Sequence, residues 1–169
     1  MMNKDENSRT GFRIRPARES DSGTILGFIK GLAEFERLLH EVEATEEMIR
    51  KNIFERRTAE VVLAEVDGKP VGFALFFHNF STFLGKPGIY LEDLYVKPEF
   101  RGKGYGKRLL VYLAKLAKER DCGRFEWAVL NWNEKAISFY KSMGARPMNE
   151  WTVYRLTGKE LDEAAALPL

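Results

Sequence analysis

The sequence is poor in cysteine and histidine, and it contains no long apolar run. Cys122 is the single cysteine of the 169 residues. No disulfide can therefore form within the chain, and a reducing cytoplasm is the expected compartment. No apolar stretch approaches the roughly 20 residues that a membrane-spanning helix needs. The two histidines, His40 and His78, are not at the spacing of metal ligands, so no metal is expected.

Charge is nearly balanced, with 27 Lys and Arg against 25 Asp and Glu and a formal net charge of +2. Such a chain has no strong global field that would draw it onto nucleic acid or an anionic membrane, so neither is an expected partner. Residues 1–10 are polar and lack the apolar segment of a signal peptide, which predicts a disordered N-terminal tail. The remaining length, residues 11–169, is typical of one domain.

Apolar periodicity and turn residues predict an α/β fold. Helices are expected from Ser20 or Asp21 to about Leu39, from Thr45 onward, and over residues 105–120, 134–143 and 158–166. Strands are expected over residues 11–17, 60–66, 70–79, 89–96, 124–130 and 151–156. Asp67-Gly68 predicts a hairpin turn, and residues 81–88 a loop. This order implies a sheet of mixed direction with helices on its faces.

Residues 96–107 combine a strand end, a glycine-rich loop and a helix start. Gly102, Gly104 and Gly106 allow the backbone to approach a ligand closely, and free N–H groups at a helix start attract an anion. Lys103 and Lys107 place cations where they oppose the helix macrodipole, at a cost of roughly 0.3–1 kcal/mol each. A bound phosphate would reverse that sign. The segment therefore predicts a phosphate-binding loop.

Two widespread phosphate-binding motifs do not fit this loop. The P-loop requires Ser or Thr after Gly-Lys, and here Gly106-Lys107 is followed by Arg108. The spacing of the three glycines does not match the dinucleotide fingerprint G-x-G-x-x-G. The segment resembles instead motif A of the GNAT acetyltransferases, R/Q-x-x-G-x-G/A, with Arg101, Gly104 and Gly106 at the defined positions. In that family this turn holds the pyrophosphate of acetyl-CoA.

The resemblance extends from about Phe12 to Leu156. Residues 90–96, YLEDLYV, resemble the central strand of the family, and residues 132–145, WNEKAISFYKSMGA, resemble its motif B. With FIKGLAEFE at residues 28–36, these segments are most similar to the diamine acetyltransferases, which include the spermidine/spermine and thialysine enzymes. The resemblance implies a GNAT-like mixed, mostly antiparallel sheet with helices on both faces, acetyl-CoA as cosubstrate and, by analogy, a homodimer.

The resemblance also implies catalytic roles. Tyr140 is the expected general acid toward the CoA sulfur, with packing against Phe139 as the alternative. Glu92 is the expected base, acting through water. In a regular strand Glu92 and Asp93 point to opposite faces, so they share a pocket only if the strand is bulged. GNATs carry a bulge here, which would also turn a backbone N–H near Leu94 toward the thioester.

Residues from three segments are expected to bind acetyl-CoA. The backbone of Leu94 and Val96 would hydrogen-bond the pantetheine as an added strand. Asn133 is a favourable helix N-cap, and the matching asparagine of the family also contacts the CoA arm. The full set comprises Leu94, Tyr95, Val96, Arg101, Gly102, Lys103, Gly104, Tyr105, Gly106, Lys107, Asn133, Lys135, Phe139 and Tyr140.

Acidic residues are concentrated at the end of the first predicted helix and in the loop that follows. Glu36 lies on the apolar stripe, four residues after Leu32, where a carboxylate is costly unless something pairs with it. A cationic substrate arm and a solvated helix end both explain this position. With Glu92 and Asp93 as further substrate-binding residues, Glu36 suggests an acidic pocket for a di- or polyamine or a lysine-like amino acid.

The leading hypothesis is an N-acetyltransferase that transfers acetyl from acetyl-CoA to such an amine by direct attack. A protein or peptide N-acetyltransferase is the alternative within the enzyme class. An acyl-CoA-binding sensor without turnover is the alternative outside it, although such a sensor would be expected to have lost Tyr140 and Glu92.

Overall fold

A computed structural model describes residues 11–168, which fall into two compact units, 11–128 and 129–168. The first unit contains a five-stranded sheet, and the second contains two helices. The α/β fold class predicted from the sequence is confirmed. The disordered tail predicted for residues 1–10 lies outside the described residues, and the domain limits stay a prediction.

The sheet has the strand order β1-β2-β3-β4-β5. Neighbouring strands from β1 to β4 are antiparallel, and β5 runs parallel to β4, so the sheet is mixed and mostly antiparallel. The strands are β1 (Phe12–Pro16), β2 (Glu60–Val66), β3 (Lys69–Ser81), β4 (Lys86–Val96) and β5 (Arg124–Trp127). The helices of the first unit are α1 (Ser22–Phe35), α2 (Glu46–Ile49), which continues as a π-helical segment Arg50–Glu55, and α3 (Tyr105–Glu119).

Turn chemistry explains the hairpin between β2 and β3. Asp67 and Gly68 have φ values of 50° and 74°, the positive pair that a two-residue hairpin turn requires. The predicted loop over residues 81–88 is wrong, because β3 and β4 extend to pair Phe80 with Pro87 and Ser81 with Lys86. A short turn over residues 82–85 is enough to connect the two strands.

One face of the sheet is covered by α1 and α2. Ile25 and Phe28 of α1 pack with Leu63 and Phe73 of the sheet in a buried cluster, where the Phe28 and Phe73 rings stack at 5.5 Å. The opposite face carries α3, whose Tyr105 ring stacks on Phe12 of β1 at 4.6 Å. Side chains alternate between the two faces along each strand. The central strands β2 and β3 are buried on both faces, so they contain nearly continuous apolar runs.

The start of α1 is fixed to the sheet by charge. Arg15 on β1 donates hydrogen bonds from its terminal nitrogens to the Asp21 carboxylate at 2.7 and 2.9 Å, and from Nε to Glu65 at 2.8 Å. Asp21 also accepts from the Arg18 backbone N–H. Hydrogen bonds from Arg15 lower the pKa of Asp21 below its ordinary value. This network holds the helix start against β1 and β2.

The end of α1 lies earlier than the apolar stripe predicts. Arg37 adopts φ 63°, its N–H donates to the Glu34 carbonyl, and the Leu38 N–H donates to the Ala33 carbonyl. These bonds form a Schellman motif, which ends the helix at Phe35 instead of Leu39. Glu36 therefore occupies the C-cap position. The second predicted helix start is confirmed, since Thr45 Oγ1 accepts from the Met48 N–H.

The second unit contains α4 (Glu134–Ser142) and α5 (Gly158–Ala165). Gly144, at φ 87°, closes α4 as the sequence predicts. The strand predicted over residues 151–156 is wrong. The segment takes part in no ladder of the described sheet, and an alternating apolar pattern cannot form a strand without a hydrogen-bonding neighbour. Over residues 11–168, no helix combines the length and apolar character needed to cross a membrane.

Candidate active site

The glycine-rich loop leads directly into α3, and the helix start has no side-chain cap. Gly104 is the N-cap residue with φ 80°, and its carbonyl accepts from the Arg108 N–H. The first-turn N–H groups of Tyr105, Gly106 and Lys107 have no partner within the helix. No acidic residue lies in this turn, so the positive end of the helix dipole is uncompensated by the protein.

The loop has space for a ligand. Gly102 and Gly104 adopt φ values of 77° and 80°, which favour glycine on conformational grounds. A Cβ built at Gly102, Gly104 or Gly106 would meet no protein atom within 4 Å. The glycines are therefore not required by packing within the protein, and open space lies above them. These residues fit the diphosphate of a CoA ester, an anion held by backbone N–H groups.

Side chains of the loop differ in what they can offer a ligand. Lys103 and Lys107 are both exposed, and the Lys103 ammonium lies 5.1 Å from the Phe100 ring centroid. Tyr105 is buried against Phe12, so it can offer a ligand only its backbone N–H. Arg101 turns back toward β4, where its Nε donates to the Val96 carbonyl at 2.8 Å.

The edge of β4 opens where β5 diverges from it. The two strands pair only from Gly88–Arg124 to Leu91–Trp127, so residues 92–96 have no strand partner on the β5 side among the described residues. The Lys97 N–H donates to the Val71 carbonyl on the β3 side. Because backbone groups of successive residues point to alternate edges, those of Leu94 and Val96 point toward the open side. This edge can accept a ligand as an added strand.

A β-bulge lies where the sequence places two carboxylates. Leu75 of β3 pairs with Asp93, and the next residue, Phe76, pairs with Leu91, so Glu92 is the extra residue of β4. Such a bulge interrupts the alternation that would otherwise send Glu92 and Asp93 to opposite faces. The expected bulge is confirmed.

Asp93 interacts electrostatically both with Glu92, its neighbour in the bulge, and with Glu36 at the end of α1. Burial raises the pKa of Asp93 to about 6, and the negative charges of Glu92 and then Glu36 add to the rise. Burial also raises the pKa of the Glu36 carboxyl. Glu92 itself is exposed. Three acids from the end of α1 and the middle of β4 therefore form one cluster, as the sequence predicts. Burial and the charges of the two neighbouring acids all disfavour the charged form of Asp93.

The second unit carries the remaining predicted residues on α4. Asn133 caps the helix, and its Oδ1 accepts from the Ala136 N–H at 3.2 Å. Lys135 is exposed, whereas Phe139 and Tyr140 are half-buried with ring centroids 5.5 Å apart. Burial raises the pKa of the Tyr140 phenol above its ordinary value near 10, so the hydroxyl is protonated at neutral pH with or without that shift.

Sequence reasoning missed Phe35 and Gly31. Phe35 ends α1 with its ring 4.7 Å from the Arg101 guanidinium carbon. Gly31 allows Tyr95 to approach α1, because a Cβ at this position would lie 2.6 Å from the Tyr95 hydroxyl. The four-residue spacing of Gly27 and Gly31 on α1 is the sequence signal that could have predicted a close contact between this helix and the sheet. Nothing in the sequence pairs Phe35 with a residue 66 positions later.

The chain matches the acetyltransferase (GNAT) family over residues 28–145. The chain belongs to the GNAT acetyltransferase family. The matched range spans parts of both compact units, and this GNAT is an acyl-CoA-dependent N-acetyltransferase. Over residues 11–168, no group of three His, Cys, Asp or Glu side chains is placed to hold a metal ion.

The names of two relatives of this GNAT give small amines as their substrates. The thialysine N-epsilon-acetyltransferase of Mus musculus is 39% identical over 165 residues, covering 90% of this chain and 96% of that one. L-ornithine N5-acetyltransferase NATA1 of Arabidopsis thaliana is 34% identical, and the match covers 92% of this chain and 90% of that one. Among solved structures, an integron cassette protein from the mobile metagenome of V. cholerae has a TM-score of 0.79 at 27% identity, covering 93% of this chain and 99% of that one.

Proposed function

We propose that this GNAT transfers acetyl from acetyl-CoA to a primary amine of a small cationic acceptor, a di- or polyamine or a lysine-like amino acid. The observation that carries the proposal is the acid cluster of Glu36, Glu92 and Asp93. Charged carboxylates so close together disfavour one another, and a cationic ligand would relieve that repulsion. The named substrates of the relatives, thialysine and ornithine, are amino acids with a second amine.

Acetyl-CoA would be held by the backbone of residues 102–107 at its diphosphate and by the open edge at Leu94 and Val96 along its pantetheine arm. Asn133, Lys135 and Phe139 are proposed as further contacts from α4. Bound in this way, the cosubstrate supplies an acetyl group activated as a thioester.

The acceptor amine must lose a proton, because a free alkylamine has a pKa near 10. We propose the acid pair as the proton acceptor. Glu92 is exposed at the bulge, so it can take the proton through a water molecule. Asp93 has a pKa of about 6, which suits a carboxylate that accepts a proton near neutral pH. The amine then attacks directly, without an acyl-enzyme.

Two hydrogen-bond donors would stabilise the negative charges that develop on the carbonyl oxygen and on the leaving sulfur. The Leu94 backbone N–H, on the open edge beside the bulge, would donate to the carbonyl oxygen as it becomes negative. The Tyr140 hydroxyl, which is protonated at neutral pH, would donate its proton to the leaving thiolate.

A thiol-release assay tests this function. Acetyl-CoA is supplied with spermidine, thialysine, ornithine, an aminoglycoside or a lysine-containing peptide. CoA release fastest with a diamine, polyamine or lysine-like amino acid is expected. Fastest release with the peptide would contradict the small-acceptor assignment. Tight acetyl-CoA binding without release on any amine would identify a sensor.

Glu36→Gln tests the acidic pocket against Glu34→Gln, a matched change at an exposed position of the same helix end. Removal of a half-buried charge partner should raise KM for dicationic acceptors roughly tenfold, equivalent to about 1.4 kcal/mol. The control should have little effect. Equal changes in KM for amines with neutral tails would refute the pocket.

We further propose that the enzyme is a cytoplasmic homodimer. The single cysteine supports the compartment, and analogy within the diamine acetyltransferases supports the dimer. Light scattering after size exclusion should give twice the monomer mass of 19.5 kDa.

A further inference from the structure

Arg101 links three parts of the first unit. It is the residue before Gly102 in the glycine-rich loop, and its Nε donates to the Val96 carbonyl at the end of β4 at 2.8 Å. Its guanidinium carbon lies 4.7 Å from the Phe35 ring centroid and 5.5 Å from that of Tyr95. A planar guanidinium can stack on rings and donate in its plane at once, which an ammonium group cannot do.

The partners of Arg101 lead to the acid cluster. Phe35 is the last residue of α1, and Glu36, the next residue, contributes its charge to the rise in the pKa of Asp93. Tyr95 is buried beneath α1, where Gly31 makes room for its hydroxyl. A shift of Arg101 would therefore move the helix end that carries Glu36 as well as the loop that begins at Gly102.

The Val96 carbonyl lies on the open edge of β4, where the pantetheine arm is proposed to bind. Since Arg101 donates to this carbonyl, the edge presents the Val96 N–H and the backbone groups of Leu94 to a ligand. Arg101 thus marks the end of the edge and sets where the bound arm must turn toward the glycine-rich loop.

We propose that Arg101 is a positioning residue that couples the acetyl-CoA loop to the acceptor-binding end of α1, so that binding of each substrate favours binding of the other. The proposal rests on the assignment of residues 102–107 as the acetyl-CoA loop. The stacked pair is a surface feature, because Phe35 is 42% exposed.

Calorimetric titration with CoA tests the coupling through Phe35→Leu, a change that lies outside the loop. The Kd for CoA should rise at least roughly fivefold in this variant and in Arg101→Lys. The affinity of the double variant for CoA should be no lower than that of the single variant that binds CoA less tightly, because both changes break the same link. Leu39→Ala is the matched control at an exposed apolar position, and Arg120→Lys is the matched control at an arginine that follows α3 and lies over the Phe76 ring. Both should bind CoA as the wild type does.

Hydrogen exchange of backbone amides distinguishes coupling from a purely structural role of Arg101, which would not change how CoA binding protects α1. CoA should protect the amides of residues 31–37 in the wild type, and in Arg101→Lys that protection should be confined to the loop. Normal CoA affinity of Phe35→Leu, additive losses in the double variant, or protection of residues 31–37 that survives Arg101→Lys would each overturn the coupling. Failure of the wild type itself to bind CoA would instead refute the proposed function.

Discussion

Replacement of Asp93 by asparagine should make the protein more stable and less active. Burial and the neighbouring acids raise the pKa of Asp93 from 3.8 to about 6. One pKa unit corresponds to about 1.4 kcal/mol, so the charged carboxylate destabilises the native state by up to about 3 kcal/mol at pH 7. Asparagine is nearly isosteric and carries no charge. We therefore expect Asp93→Asn to raise the free energy of unfolding by about 1–3 kcal/mol at pH 7.

The sign of the effect sets its pH dependence. An acid with a raised native pKa stabilises the fold while it is protonated, below pH 3.8, and this contribution is lost as the pH rises through about 6. The advantage of Asp93→Asn should thus be largest at pH 7 and disappear near pH 4. In the wild type, kcat/KM should fall below pH 6 as the carboxylate takes up its proton, and this limb should be absent from the variant.

Urea unfolding at pH 4, 5.5 and 7 measures the stability, and the thiol-release assay measures the activity. Asp121→Asn is the matched control, because a hydrogen bond from Lys86 lowers the pKa of this exposed carboxyl. The control should lose a little stability at pH 7, the opposite sign. If Asp93→Asn is no more stable than the wild type at pH 7, the acid cluster is not strained and the reasoning about the acceptor pocket fails with it.

Three further changes probe other parts of the molecule. Tyr140→Phe should lower kcat roughly 100-fold or more with acetyl-CoA affinity unchanged, by steady-state kinetics and calorimetry, and an unchanged kcat would remove the proposed acid. Gly104→Glu should abolish acetyl-CoA binding, because it places a side chain at φ 80° and a negative charge at the helix start; normal calorimetric binding would show that the loop is not the anion site. Arg15→Met should lower the free energy of unfolding at pH 7 by about 1.5–3 kcal/mol, since Asp21 would lose both hydrogen bonds from the guanidinium while Glu65 keeps its pair with Arg13, and a loss below 1 kcal/mol in urea would show that the network is dispensable.

Local chemistry was enough to predict most of the fold and one part of the site. The positive φ pair at Asp67-Gly68, the Thr45 cap and the open glycine loop all follow from residues adjacent in sequence. The convergence of Glu36 with the bulged pair was predicted from an acid on an apolar stripe together with the family resemblance.

Tertiary structure decided what the sequence could not. Gly88 resembles a loop glycine, yet it lies inside β4, where a Cβ would come within 2.4 Å of Asn79 Oδ1. The Schellman motif ends α1 at Phe35 with an arginine in place of the usual glycine, so the sequence carries no stop signal there. The stack of Arg101 on Phe35 joins residues far apart in the chain and depends on how α1 docks onto β4.

The divergence of β5 from β4 has a consequence for handling the purified protein. The backbone groups of Leu94 and the Val96 N–H have no strand partner on the β5 side among residues 11–168, and such a row is a template on which an extended segment, including one from another molecule, can assemble. A cosubstrate laid along that row shields it and, by mass action, also raises the melting temperature. Concentrated stocks should therefore resist aggregation best when they are stored with excess CoA.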